Sequence, residues 1–145
     1  MRREGGTTLF EVLTVLAVAA VLAAIAVPSA SQVRSSVAGA QGARKLALVL
    51  RAAQAEAQTR SGSVRVAVQP DGDYTVTVSD GTTAVSGRLC AAVTSNYPGN
   101  TLEFTEWGWA RVPGSSSPRA GRFTVSGGAH SRDVVIQLSG CVRCP

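Results

Sequence analysis

The chain has 145 residues, of which 45% are hydrophobic and 16% charged, with a formal net charge of +5. This length fits one domain of ordinary size. A single histidine, His130, gives no basis for histidine metal sites or Ser/His/Asp triads, three cysteines are too few for a disulfide scaffold, and the plentiful apolar residues exclude intrinsic disorder.

The charged fraction lies below the roughly 25% of a typical soluble domain. The deficit is local, because the only charged residue between Glu4 and Arg34 is Glu11. After it comes an apolar run from Val12 to Val27, interrupted only by Thr14 and closed by Pro28. From Thr7 to Val27 there are 21 residues. As a helix they suffice to cross a hydrocarbon core of about 30 Å. Arg2 and Arg3 predict a cytoplasmic N-terminus, with the remainder of the chain outside the inner leaflet. No second run of this length follows, so a single pass is expected.

A plain membrane anchor accounts for the length of this run. A secretory signal peptide cut near Ser29-Ala30-Ser31 accounts for the arginines and the run together. Neither explains Glu11. An acid at the lip of an apolar phase is costly and marks a functional residue whose partner is missing.

A third reading supplies that partner. The stretch Gly6-Thr7-Thr8-Leu9-Phe10-Glu11-Val12-Leu13, followed by Ala23-Ala24-Ile25-Ala26-Val27-Pro28, resembles the type IV prepilin signature. In that family a basic leader ends in glycine and a prepilin peptidase cuts after it. A glutamate stands fifth in the mature chain and a proline twenty-second. With Thr7 as the first mature residue, Glu11 is fifth and Pro28 twenty-second. The first mature residue is usually phenylalanine; here it is Thr7, with Phe10 three places on. The resemblance implies a leader over residues 1–6, cleavage between Gly6 and Thr7, and N-methylation of Thr7. It also implies a transmembrane and filament-core helix over 7–28. In a packed filament the new Thr7 amine meets the Glu11 carboxylate of a neighbouring subunit, which cancels a charge that apolar surroundings penalise. Pro28 is expected to kink or loosen the helix.

Residues 29–60 are rich in alanine, glutamine, leucine and arginine, all good helix formers except for scattered interruptions. Val33, Val37, Ala40, Leu46, Leu50, Ala53 and Ala57 recur near helical spacing, which predicts an amphipathic continuation packed on a core. Gly39 and Gly42 read as soft points, and Ser61-Gly62-Ser63 as the stop.

Residues 61–145 read as a β-rich head. Val64, Val66 and Val68, the turn Pro70-Asp71-Gly72-Asp73, and Tyr74, Val76 and Val78 predict a hairpin over 63–79. Further strands are expected over 84–92, around Leu102, Phe104 and Glu106, over 121–126 and over 133–138. Pro113 to Pro118 is a loop, and His130 falls in a glycine-rich turn. The expected fold is α+β, a long N-terminal helix packed against an antiparallel sheet.

The C-terminal run resembles the GspH/FimT-like branch of type II secretion pseudopilins and minor type IV pilins. The matching residues are Leu102-Glu103-Phe104, Gly121-Arg122-Phe123-Thr124-Val125, Asp133-Val134-Val135-Ile136 and Gly140-Cys141-Val142-Arg143. Cys141 stands where that branch carries its first terminal arginine. The resemblance implies a pilin-like fold, an inner-membrane protein with a periplasmic head, and other pilin or pseudopilin subunits as partners. It implies a priming or tip role in a type IV pilus or type II secretion pseudopilus, with secreted substrate or DNA as further partners.

No phosphate loop, metal-ligand cluster or catalytic arrangement stands out, so neither an enzyme, a cofactor nor a metal is expected. Cys141-x-x-Cys144 offers two ligands where structural zinc takes four. An oxidising compartment favours a structural disulfide from Cys90 to Cys141 or Cys144. Arg111, Arg119, Arg122, Arg132 and Arg143 face only Asp133 in the last quarter of the chain. Such a basic surface is a footprint for DNA, or simply a solvated face. Trp107 and Trp109 suit a core, a subunit contact or a stacking surface.

Overall fold

Alanine, leucine and glutamine dominate residues 9–59, and in the computed structural model this stretch forms one α-helix, α1 (Leu9–Thr59). The structure describes residues 8–128 and 130–144; the side chains of 25–32 lie outside the described set. The chain divides into two compact units, residues 1–34 and 35–145. The helical assignment runs through Pro28 without a break, and the proline ring itself is outside the described side chains.

The helix stops as Ser61-Gly62-Ser63 predicts. The Gly62 amide donates to the Ala57 carbonyl at 3.1 Å, and that of Ser61 to Gln58 at 3.4 Å. This pair of bonds satisfies the last carbonyls. The residue that turns left-handed is Ser61, with φ 48°, and not the glycine beside it.

Among the described residues of the second unit nine strands follow: β1 (Val64–Val68), β2 (Asp73–Val78), β3 (Thr83–Arg88), β4 (Ala92–Ser95), β5 (Thr101–Phe104), β6 (Ala110–Arg111), β7 (Gly121–Gly127), β8 (His130–Ile136) and β9 (Val142–Arg143). They build two antiparallel sheets where the sequence suggests one. The first has the order β3-β2-β1-β5-β6, the second β4-β7-β8-β9. The hairpin over 63–79 is present, with Val64 opposite Val78 and Val66 opposite Val76.

The strand expected over 84–92 is two strands in different sheets. The crossover is held by the β1–β2 turn: the Leu89 amide donates to Gly72 O at 2.8 Å and the Val93 amide to Pro70 O at 3.0 Å. Glu106 lies beyond β5, in the turn that leads to β6. His130 opens β8 instead of sitting in a turn, and Leu138, expected in line with Val134 and Ile136, is exposed beyond the end of that strand.

One core joins both sheets to the helix. It contains Leu46 and Leu50 of α1, Val64 and Val66 of β1, Leu102 and Phe104 of β5, and Phe123, Val125, Val134 and Ile136 of β7 and β8. Each fully buried side chain of this size stabilises by about 1.5–3 kcal/mol. The helical stripe that enters it runs through Ala43, Leu46, Ala47, Leu50, Ala53 and Ala57. Val33 and Val37, expected on that stripe, are exposed.

Gly39 and Gly42 are packing notches and not soft points. A Cβ on Gly39 would stand 2.9 Å from the Gly127 Cα, and one on Gly42 would stand 3.1 Å from Val125 Cγ1. Their missing side chains let α1 approach β7 closely. Polar helix residues also tie into the sheets: Lys45 Nζ donates to Arg88 O at 2.8 Å, Arg51 to Val142 O at 3.0 Å, and Gln54 to Gly108 O at 2.8 Å.

Candidate functional site

The first turn of α1 is organised by Thr8. Its Oγ1 accepts from the Glu11 amide at 3.4 Å, and its carbonyl accepts from the same amide at 3.0 Å. Thr8-x-x-Glu11 is the spacing of a capping box. That signal was available in the sequence, and it gives Glu11 a local role at the positive end of the helix dipole. Only the threonine half of the box forms. The Glu11 carboxylate has no hydrogen-bond or ion-pair partner among the described residues.

Every described side chain from Thr8 to Ala24 is exposed, including Leu9, Phe10, Leu13, Leu16, Val21 and Leu22. These residues lie all around the helix, so no single face explains them. A helix apolar on every side belongs inside a protein assembly or a membrane. Among the described residues, no helix is long and apolar enough to cross a membrane. The span read over 7–28 begins at Thr7 and ends beyond Ala24, so both its ends reach residues or side chains outside the described set. Gly6 and Thr7, the expected cleavage pair, lie outside it as well.

The five C-terminal arginines do not form one patch. Arg111 of β6 stands opposite Glu103 of β5, which stands opposite Arg65 of β1. Arg111 donates to Glu103 Oε1 through Nε at 3.0 Å and also through Nη2, while Arg65 reaches Oε2 at 3.3 Å. Glu103 is the one buried charged residue among those described, and the two guanidiniums neutralise it. Arg122 of β7 pairs with Asp133 of β8 at 3.2 Å, and Thr124 donates to the same carboxylate at 2.7 Å. Arg119 reaches Asn96 O at 3.4 Å.

Arg122 and Arg143 flank Val135 across three adjacent strands and share the outer sheet face. Arg132 stands opposite the buried Val125, which places it on the other face, beside α1. Sequence reasoning saw the arginines but could not see Glu103 as the partner of Arg111, because strand pairing and not sequence distance brings them together.

The cysteines are free thiols; Cys90 and Cys141 are exposed, and Cys144 is half-buried against the core. The disulfide expected from Cys90 to the C-terminal pair is not formed. Cys90 precedes β4 and the other two flank β9, and these strands are opposite edges of the second sheet. Three strand spacings of about 4.8 Å separate those edges, well beyond the roughly 7 Å Cα ceiling of a disulfide. Trp107 and Trp109 are not core either. They project from the β5–β6 turn at 68% and 48% exposure.

The model of the family "Type II transport protein GspH" matches residues 42–140. This chain belongs to the GspH family. The matched region covers β1 to β8 and most of the helix segment that packs on them, and leaves β9 and the Gly6–Pro28 signature outside it. Two crystal forms of the type IV minor pilin FimU from Pseudomonas aeruginosa have the same fold. Each aligns with a TM-score of 0.56 and 19% identity over 72% of this chain, covering 90% of FimU in one form and 86% in the other. No curated protein matches in sequence. The GspH-family chain thus has an α+β fold, the fold of the minor pilin FimU.

Proposed function

We propose that this GspH-family chain is a structural subunit of a pilus-like fibre, made as a prepilin, cut between Gly6 and Thr7, and held in the inner membrane by residues 7–28 until assembly. Its neighbours are other pilin or pseudopilin subunits, met through α1, and the fibre belongs to a type II secretion system or a type IV pilus. It acts at the tip or in priming, by position and not by catalysis.

One observation carries this reading. The described side chains of the first unit form an apolar helix exposed on all sides, and within its first turn stands a carboxylate without a partner among the described residues. In an assembly the apolar surface is covered, and the acid then needs a cation. The α-amino group created at Thr7 is a cation four residues away in sequence and available from the neighbouring protomer. Such a pair adds register more than stability, because desolvation offsets much of its Coulomb energy.

The test is incorporation. Glu11→Leu subunits expressed with the other pilins should enter fibres poorly, and N-terminal sequencing of wild-type material should begin at Thr7. Equal incorporation of Glu11→Leu, or material that starts at Met1 or near Ser31, overturns the reading.

DNA capture is the rival use of the head. It is weakened where the arginines are already engaged, since Arg111 serves Glu103 and Arg122 serves Asp133. A retardation assay across salt, with Arg119 and Arg143 changed to alanine, decides it; DNA binding that falls in the double variant restores it.

A further inference from the structure

The second sheet has an edge that is only partly covered. β7 pairs with β8 along its whole length, from His130 to Ile136, but among the described residues β9 pairs only with Val135 and Ile136. The direction of the remaining peptide groups follows from the ladder. The Asn96 amide donates to Arg122 O at 3.3 Å, so Arg122 turns its peptide groups toward β4, and Phe123 turns toward β8. Phe123 stands opposite Val134, so Val134, and by alternation Arg132, point to β7. The Gln137 amide donates to Cys141 O at 3.0 Å, which gives the same alternation from the other side. Ser131 and Asp133 therefore aim their N–H and C=O groups outward, and among the described residues no strand pairs with them there.

This edge opens into a trough beside α1. Ser36, Val37 and Ala40 face the 130–133 segment across a groove of about 620 Å³. A second hollow of about 450 Å³ shares Ala40 and Arg132 with it and continues past Arg44, Leu48 and Arg51 to Cys144. The lining is apolar at Val37 and Leu48, both exposed, and cationic at Arg44, Arg51 and Arg132. Among the described residues the carboxylate that borders it is Asp133, which is engaged by Arg122 and Thr124.

We propose that the trough takes an extended, acidic segment of a partner protein, added as a strand to the β8 edge at Ser131 and Asp133. Main-chain bonds to an open edge supply affinity, and alternate side chains supply selectivity. Every second residue of an added strand faces α1. Those residues are acidic opposite Arg44 and apolar opposite Val37 and Leu48. The backbone edge separates a peptide from nucleic acid: a strand answers both N–H and C=O groups, whereas a phosphodiester offers only acceptors. This inference goes beyond fibre assembly and does not depend on the Thr7–Glu11 pairing.

The experiment uses the full chain in detergent micelles and two fluorescein-labelled octapeptides, one alternating valine with glutamate, the other valine with lysine. Fluorescence anisotropy reads binding. Ser131→Pro removes one outward N–H at an edge, where proline is tolerated, and Arg44→Glu reverses one charge. The valine–glutamate peptide should bind, each variant should weaken it roughly tenfold, and the valine–lysine peptide should not bind. On peptide addition to the parent chain, amide exchange at Ser131 and Asp133 should slow, a readout that stands even if Ser131→Pro fails to fold. Absence of binding, unchanged exchange at those two amides, or binding lost only with Arg44→Glu each overturns the proposal. So does a duplex DNA oligonucleotide that displaces the peptide and is insensitive to Ser131→Pro.

Discussion

Glu103 and Arg111 face each other on adjacent strands, and the buried carboxylate accepts two bonds from the guanidinium. The asymmetry of burial makes a directional prediction. Arg111→Ala leaves a buried carboxylate with only the more exposed Arg65, and should cost about 2–3 kcal/mol. Glu103→Met frees two arginines that reach solvent and fills the site with an apolar side chain, so it should cost less than about 1 kcal/mol. Urea unfolding of both variants checks the order; a costlier Glu103→Met would mean that the carboxylate supports the sheet by some route other than these pairs.

The close approach of Gly39 to Gly127 sets a second expectation. Alanine favours a helix over glycine by about 1 kcal/mol. At Gly39 that gain meets backbone 2.9 Å away, which cannot move as a side chain can. Gly39→Ala should therefore destabilise by a net 1–2 kcal/mol or roughly so. Gly42→Ala meets only the side chains of Val125 and Ala91, at 3.1 and 3.2 Å, and should be near neutral. Thermal melts of the two variants separate a packing notch from a flexible point, which would gain stability from either change.

Ser61 closes α1 in a left-handed conformation that costs an L-residue about 1–2 kcal/mol. Ser61→Gly should relieve part of this and raise stability by about 0.5–1 kcal/mol. The same substitution at Ser63, outside the cap, should bring no gain in the same melt.

Tyr97 supplies a pH signature. Burial pushes its hydroxyl up to about 12, opposed by the nearby Arg119 charge. The ring stacks on Phe123 at 5.8 Å, and its hydroxyl donates to Arg119 O at 2.8 Å. The folded pKa lies above the ordinary tyrosine value of 10.0, so the folded state holds the proton more tightly. The stability linked to this group is complete below pH 10 and is lost as pH rises toward 12. Tyrosinate absorbance should show Tyr97 ionising together with alkaline unfolding, and Tyr97→Phe should remove that part of the pH dependence. A Tyr97 that titrates near 10 in the folded chain would contradict its burial.

Much of this protein was legible in its residues because the signals are local. The Glu11 and Pro28 offsets are simple counts. The hairpin over 63–79 follows from alternation around Pro70-Asp71-Gly72, and the helix stop follows from Ser61-Gly62-Ser63. The short strands β6 and β9 carry no such signal, since two residues show no period. β3 falls largely within the strand expected over 84–92, and what went unread there was the break after Arg88.

What the sequence determined by itself was the class of fold and the acid isolated in an apolar helix, since both depend on neighbours a few residues apart. Tertiary structure alone decided that residues 84–92 divide between two sheets, that Glu103 takes two arginines from neighbouring strands, that Cys90 stands across a sheet from Cys141 and Cys144, and that part of the β8 edge has no strand partner among the described residues. Those outcomes depend on which strand lies beside which. Strand order joins residues tens of positions apart, and no local period encodes it.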